Sequence, residues 1–393
     1  MKKLLILSLF FLLTACPQKK ESKPDELSTP AESRVELQAA GFDELNGWQQ
    51  DNLMEILPNL QNNCNRIRKI TSEKLGKSRI KIDTKLYQKI CDDLDSSSFQ
   101  NNDELRSFIE QNFTPFLVLD DGVAEGKFTS YYESQINASF HKHGAYKYPV
   151  YGLPDDWVEI NLRDFDEALP DKRLVGRIDK KKILPYYDRA AIETTGIKAP
   201  VLMWADSDVD IHIMQIQGSA VAHMDNGQKI RVGYADNNGH PFRGIGSILK
   251  ENNVLAPGQI NMSAIKKWLK DNPQSAQKYL HQNPRYIFHR IITESGPIGA
   301  FGIPLQAGRS IAVDRDIVPL GAILWLSTTA PDGTPLHKLV AAQDIGSAIK
   351  GVVRGDYFWG SGGDEVLDMA GKMNAVGKYF ILLPKGQRNG LDG

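Results

Sequence analysis

Long hydrophobic runs, net charge, clustered histidines and cysteines are all scarce in this 393-residue chain. The apolar run at residues 4–13 is about ten residues long, where a bilayer-crossing helix needs roughly 20, so it cannot span a membrane. A formal net charge of −1 carries no polyanion-binding signature, and no nucleic-acid partner is expected. His212, His223, His240 and His289 are scattered singly, and the three cysteines lie far apart with no flanking histidine. That spacing fits no zinc site, so neither a metal nor a cofactor is predicted. No internal repeat is evident. What remains is the composition of a soluble globular protein, 41% hydrophobic and 24% charged, long enough for two domains of ordinary size.

The amino terminus reads as an export signal. Lys2 and Lys3 precede the apolar run, and Leu13-Thr14-Ala15-Cys16 looks like a bacterial lipoprotein box, with cleavage before Cys16 and acylation of its thiol. An ordinary secretory signal with an incidental cysteine is the alternative. Pro17, rather than an Asp, predicts sorting to the outer membrane, with the protein facing the periplasm. Residues 1–15 are thus assigned to a signal peptide. Residues 16–40, rich in Pro, Lys, Glu and Ser, are assigned to a lipidated tether too polar to bury a core. With Cys16 given to lipid, Cys64 and Cys91 remain, and an even remainder in an oxidising compartment favours a disulfide over two buried thiols.

Beyond the tether the pattern changes character. Leu53, Ile56, Leu57 and Leu60 recur at helical spacing with Pro58 as an interruption, and residues 103–109 form another helix with Asp103 near its start. From about residue 116 the text becomes short strands divided by glycine, proline and asparagine. Alternation in residues 209–216 and 228–234 predicts two strands joined through Asp225-Asn226-Gly227. Ala264, Ile265, Trp268 and Leu269 make a helical stripe, after which Pro273 opens a turn behind Asn272 as its cap. Irregular, glycine-rich strands of this kind point to barrels more than to a sandwich.

Two carboxylates stand out in the stretch Ala342-Gln343-Asp344-Ile345-Gly346 and Arg354-Gly355-Asp356-Tyr357-Phe358-Trp359-Gly360-Ser361-Gly362. Glycines let the backbone approach a ligand, and aromatic faces beside a carboxyl group favour its protonated form. That is the equipment of acid chemistry on a sugar chain. The same residue types also suit plain Asx-turn capping.

These motifs occur together with Gly296-Pro297-Ile298-Gly299-Ala300-Phe301-Gly302-Ile303-Pro304, Gly308-Arg309-Ser310-Ile311-Ala312-Val313-Asp314, Gly126-Lys127-Phe128-Thr129-Ser130-Tyr131-Tyr132-Glu133 and Gln215-Ile216-Gln217-Gly218-Ser219. In this order, over roughly residues 42–384, the chain resembles the membrane-bound lytic murein transglycosylase A family. Ser130 and Ser134 stand where the family pattern has glycine and proline.

The resemblance implies a mainly β protein with appended N-terminal helices. Residues 41–133 and 284–393 would form the helices and a double-psi β-barrel, and residues 134–283 an inserted smaller β domain that makes the other wall of a glycan cleft. It implies non-hydrolytic cleavage of the β-1,4 bond between N-acetylmuramic acid and N-acetylglucosamine in peptidoglycan, leaving 1,6-anhydro ends. Asp356 would be the catalytic acid and base, with Asp344 as runner-up in a supporting or glycan-binding place. Thr129, Tyr132 and Glu133, and Gln217, Gly218 and Ser219 from the insert, would bind substrate. Tyr131 fits the core better than a platform, and Trp359 suits either a sugar face or the core. Peptidoglycan strands and the outer membrane are the expected partners, with murein synthases and other cell-wall enzymes as candidates. Two rival readings remain at this point: a hydrolytic glycosidase using Asp344 and Asp356 as a pair, and a non-catalytic lipoprotein tying membrane to wall.

Overall fold

Three helix starts follow from caps. Asn101 accepts from the amides of Asp103 and Glu104, Asp83 from Leu86, and Asn261 from Ala264, so each of these helices begins where a short polar side chain satisfies orphan N–H groups. The computed structural model describes residues 34–256, 260–387 and 390–391; Cys16, the signal segment and most of the expected tether lie outside these. In chain order the described residues form β1 (Val35–Ala39), three short 3-10 turns, α1 (Leu57–Ile67), α2 (Thr84–Asp95), α3 (Asn102–Asn112), β2 (Phe113–Asp120), β3 (Gly126–Ser139), β4 (Tyr148–Tyr151) and β5 (Trp157–Asn161). Then come β6 (Arg173–Asp179), β7 (Lys182–Pro185), α4 (Arg189–Thr195), β8 (Val201–Ala205), α5 (Asp208–Gln217), β9 (Ser219–Met224), β10 (Lys229–Asn237), α6 (Ile245–Glu251), α7 (Met262–Asp271) and α8 (Pro273–Leu280). The chain closes with β11 (Ile287–Ile292), β12 (Ser310–Val313), β13 (Ile323–Thr329), β14 (Pro335–Asp344), β15 (Arg354–Ser361), α9 (Asp364–Ala370) and β16 (Asn374–Pro384).

The pairing of six strands returns on itself in the order β3, β15, β12, β14, β13, β16 and back to β3. Two of these pairs, β3 with β15 and β12 with β14, are parallel, and the other four are antiparallel. β2 extends the sheet from β16, and β1 from β2. Residues 35–39, given to the tether on composition, are therefore strand. β3 is the shared element: residues 126–133 belong to the ring, and its far half pairs with β9 and β8 in the inserted region. A separate three-stranded sheet, β5-β6-β7, lies within that region.

One large apolar cluster fills the ring and the underside of α1, α2 and α3, including Trp48, Phe128, Trp325 and Phe380. Cys64 on α1 and Cys91 on α2 form a disulfide with Cα atoms 5.2 Å apart. Arg309 grips the buried Asp51 through two bonds of 2.7 and 2.8 Å, tying the segment before α1 to the ring.

Two local expectations change. Pro58 does not interrupt a helix but opens α1 from its first turn, where a missing N–H costs nothing. Residues 209–216 are not a strand but the body of α5. Ile211 and Met214 enter one apolar cluster while Val209 and Ile213 enter another. A helix clasped between two cores buries opposite faces, and its sequence then mimics strand alternation. The partner of β10 across Asp225-Asn226-Gly227 is accordingly β9. Asn272 is the cap position and Pro273 the first residue behind it, and the turn they open continues as the helix α8.

Candidate active site

β15 delivers Asp356 to the ring beside Thr129 of β3, its direct register partner, with Ala312 of β12 on the other side. The preceding Gly355 is needed for this: a Cβ there would lie 2.6 Å from Ile311 and 2.9 Å from Phe128. Thr129 Oγ1 donates to Asp356 Oδ1. Arg354 Nη2 donates to the same hydroxyl at 2.7 Å, while its Nη1 donates to the carbonyls of Lys127 (3.2 Å) and Gly355. Asp356 Oδ2 bonds no described group, yet it is not sealed from solvent.

Asp344 ends β14 nearby, and both of its oxygens are taken. Tyr131 donates its hydroxyl to Oδ2 at 2.8 Å, and the Ala300 amide donates to Oδ1 at 3.0 Å. Gly299 permits the second bond, since a Cβ at that position would stand 2.5 Å from the Gln343 carbonyl. Burial pushes the Asp344 carboxyl up to about 6; the Tyr131 hydroxyl and the amides of Ala300 and Ile345 oppose the rise, and the charge of Asp356 adds to it. Burial likewise raises Asp356 above the usual carboxylate range, against the Thr129 hydrogen bond and the Arg354 charge. Tyr131 is raised well above its ordinary value by burial and by Asp344, so it stays a hydrogen-bond donor. The centre thus holds two carboxyl groups biased toward the protonated form, one with a free oxygen and one fully engaged.

The other predicted residues gather a few positions along β3, where the strand leaves the ring. Glu133 has no exposed surface and bonds Arg231 Nε at 2.8 Å and the Ser361 hydroxyl. Tyr132 is 3% exposed and packs against Leu367 and Ala370, while its amide donates to Gln217 Oε1 at 3.1 Å. Gly218 ends α5 at φ +89, and the Ser219 carbonyl accepts from the Ser134 hydroxyl at 3.1 Å. Thr129, Asp344 and Asp356 thus meet at one centre, and Tyr132, Glu133 and Gln217 to Ser219 knit the ring to the inserted region. Ser130 accepts from Trp359 Nε1 at 2.7 Å and donates to the Ala370 carbonyl, so Trp359 is tied by its polar edge. Two participants were not foreseen. Arg354 had no partner visible in sequence, and Tyr131 was placed in the core, though its position beside Thr129 on alternating β3 was the available signal. Among the described residues no three His, Cys, Asp or Glu side chains converge to hold a metal ion.

Residues 127–290 match the model of the MltA specific insert domain, and residues 309–383 that of the 3D domain. Ring and insert thus define the class: a 3D-domain protein with a characteristic insertion. The chain is 31% identical to MltA from Neisseria gonorrhoeae in its monoclinic crystal form, covering 91% of this chain and 95% of that one at a TM-score of 0.79. Against the membrane-bound lytic murein transglycosylase from Agrobacterium tumefaciens the identity is 30%, the coverage 89% and 98%, and the TM-score 0.78. The membrane-bound lytic murein transglycosylase A of Escherichia coli K12 is 28% identical over 270 residues, 67% of each chain. The chain spans about two thirds of the length of the curated relatives it matches. It belongs to the lytic murein transglycosylase A family.

Proposed function

We propose that this protein is a lytic transglycosylase that cleaves the β-1,4 bond between N-acetylmuramic acid and N-acetylglucosamine in peptidoglycan without consuming water, in the service of cell-wall turnover. The reading is supported by the family, whose relatives carry that activity in their names, and above all by one observation. Asp356 is enclosed, raised toward its acid form, anchored through Oδ1 and free at Oδ2.

In this reading the ring is a double-psi β-barrel and the glycan lies between it and residues 134–283. The Asp356 carboxyl gives its proton to the bridging oxygen as the C1–O bond breaks, which leaves an oxocarbenium-like centre and a carboxylate. That carboxylate takes the proton of the muramic C6 hydroxyl, whose oxygen bonds C1 and closes the 1,6-anhydro ring. One group acts as acid and then base, so no second carboxylate is required to activate water. Asp344, occupied at both oxygens, holds Tyr131 and the 299–300 turn in place. Thr129 and the Gln217–Ser219 segment would face the sugar, and the Cys16 lipid would hold the protein to the periplasmic face of the outer membrane. Mass spectrometry of products from purified sacculi tests the reading. Muropeptides lighter by one water than hydrolysis products support it; reducing ends would establish a hydrolase, and an inert murein zymogram a binding protein.

A further inference from the structure

The hydroxyl of Thr129 has a single proton, and that fact sets the polarity of the whole centre. A guanidinium donates and cannot accept. The 2.7 Å contact from Arg354 Nη2 therefore makes Thr129 Oγ1 an acceptor on that side, and the one described acceptor for its own proton is Asp356 Oδ1. Arg354 is itself fixed, because its other amino group bonds the backbone carbonyls of Lys127 and Gly355.

We propose that Arg354 is a positioning residue that locks the Thr129 hydroxyl toward Asp356 Oδ1 and so reserves Oδ2 as the oxygen that gives and recovers the proton. An oxygen that already accepts a hydrogen bond is the poorer carrier of a proton, and Oδ2 has no described partner and keeps solvent access. Without Arg354 the hydroxyl is free to turn away or to accept a proton from Oδ1, and the acid would be divided between two oxygens, one of them badly aimed. The inference rests on the proposed role of Asp356.

The surroundings bear on the pH test. From β3 the titratable group facing Asp356 is Tyr131; from the end of β14 there is Asp344; β12 itself contributes none, and Asp314 beyond it is paired with Lys350. From α9, packed on β15, Asp364 is paired with Lys266, Asp368 bonds Ser263, and Glu365 accepts from the Gly363 amide. Arg354 and the Thr129 hydroxyl both favour the carboxylate. Removing either one favours the acid, and the descending limb of the pH–rate profile, where Asp356 loses its proton, moves to higher pH.

The experiment is a pH–rate profile of anhydromuropeptide release from solubilised glycan strands by the full-length protein and its variants. Arg354→Met, which removes both charge and donor, should move the descending limb up by about 0.5–1 pH unit and lower kcat about tenfold, with KM within about twofold. Thr129→Val should move the limb in the same direction, and the double variant should move it no further than Arg354→Met alone, since loss of Arg354 removes its charge and already frees the hydroxyl. Arg354→Lys and Thr129→Ser, which retain a charged donor and a hydroxyl respectively, should hold the limb near the parent position. If Arg354→Met does not fold, the Thr129→Val and Thr129→Ser profiles decide. An unmoved limb, additive shifts in the double variant, or a loss confined to KM would overturn the inference. Asp356→Asn in the same assay separates the two claims: if it is inactive while Arg354→Met leaves the limb in place, the acid assignment survives and the positioning role falls.

Discussion

The strand ring and the inserted region bury their side chains differently. In the ring one cluster runs without a break from the disulfide-linked α1 and α2 through Phe128 to Trp325 and Phe380. Residues 134–283 divide theirs among smaller groups, one around Met203 and Met214, one around Leu249 and Leu269, and one around Tyr186 and Ile192. The outer sheet β5-β6-β7 even leaves Ile178 at 57% and Ile183 at 52% exposure, although they pair across strands. Proton transfer tolerates little positional error, and both carboxylates sit on the side with the continuous core. In the proposed reading the binding wall of a long polymer, which needs shape more than sub-ångström placement, would fall to the side built from parts.

If that contrast is right, the junction between the two should be the most sensitive place. Breaking the buried Glu133–Arg231 pair by Arg231→Met strands a wholly buried carboxylate and should cost about 3–5 kcal/mol in urea unfolding; a cost below about 1 kcal/mol would show that the halves are held elsewhere. Next, replacing Cys64 and Cys91 together by serine frees a loop of 27 residues, for which chain entropy gives roughly 3 to 4 kcal/mol. The loss should appear in the unfolding of the ring side, and an unchanged midpoint would contradict a continuous core there.

A smaller effect concerns pH. Asp344 in the folded protein holds its proton up to about 6 against an ordinary 3.8. Between these values the folded state keeps a proton that the unfolded state has released, so stability falls as pH rises through the window. The total loss across the window should amount to on the order of 1 kcal/mol for this partly open group. Asp344→Asn should flatten the slope in thermal melts at pH 4 to 7, and an identical slope in the variant would place its origin elsewhere. Smallest of all, Ile178→Ser on the outer sheet should change stability by no more than about 0.5 kcal/mol.

The mainly β character of the ring was legible in its short, glycine-divided strands, and its family through the glycine-punctuated motifs, of which the most distinctive contains Asp356. The helix over residues 103–109 was legible from its apolar spacing and Asp103 near its start, and α7 from its apolar stripe. α5 was not, since periodicity reports buried faces and this helix buries two; the better signals were Ser207 as its N-cap, bonding the Asp210 amide, and Gly218 in the left-handed region just after it. The strand in residues 35–39 was hidden by the polar text before it. Arg354 was hidden for a deeper reason. Its meaning lies in a contact across the parallel β3–β15 pair, 225 residues away in sequence, and no local pattern encodes such a pairing.

The central claim is that Asp356 alone gives and recovers the proton while Asp344 supports the loop. It is tested most directly by quantifying anhydromuropeptides released from sacculi by Asp356→Asn and Asp344→Asn, each normalised to sacculus-bound protein. Asp356→Asn should bind sacculi as the parent does and release no measurable product, because an amide of nearly the same shape cannot deliver a proton, whereas Asp344→Asn should retain turnover. Near-parent product from Asp356→Asn, or a loss confined to Asp344→Asn, would contradict the account.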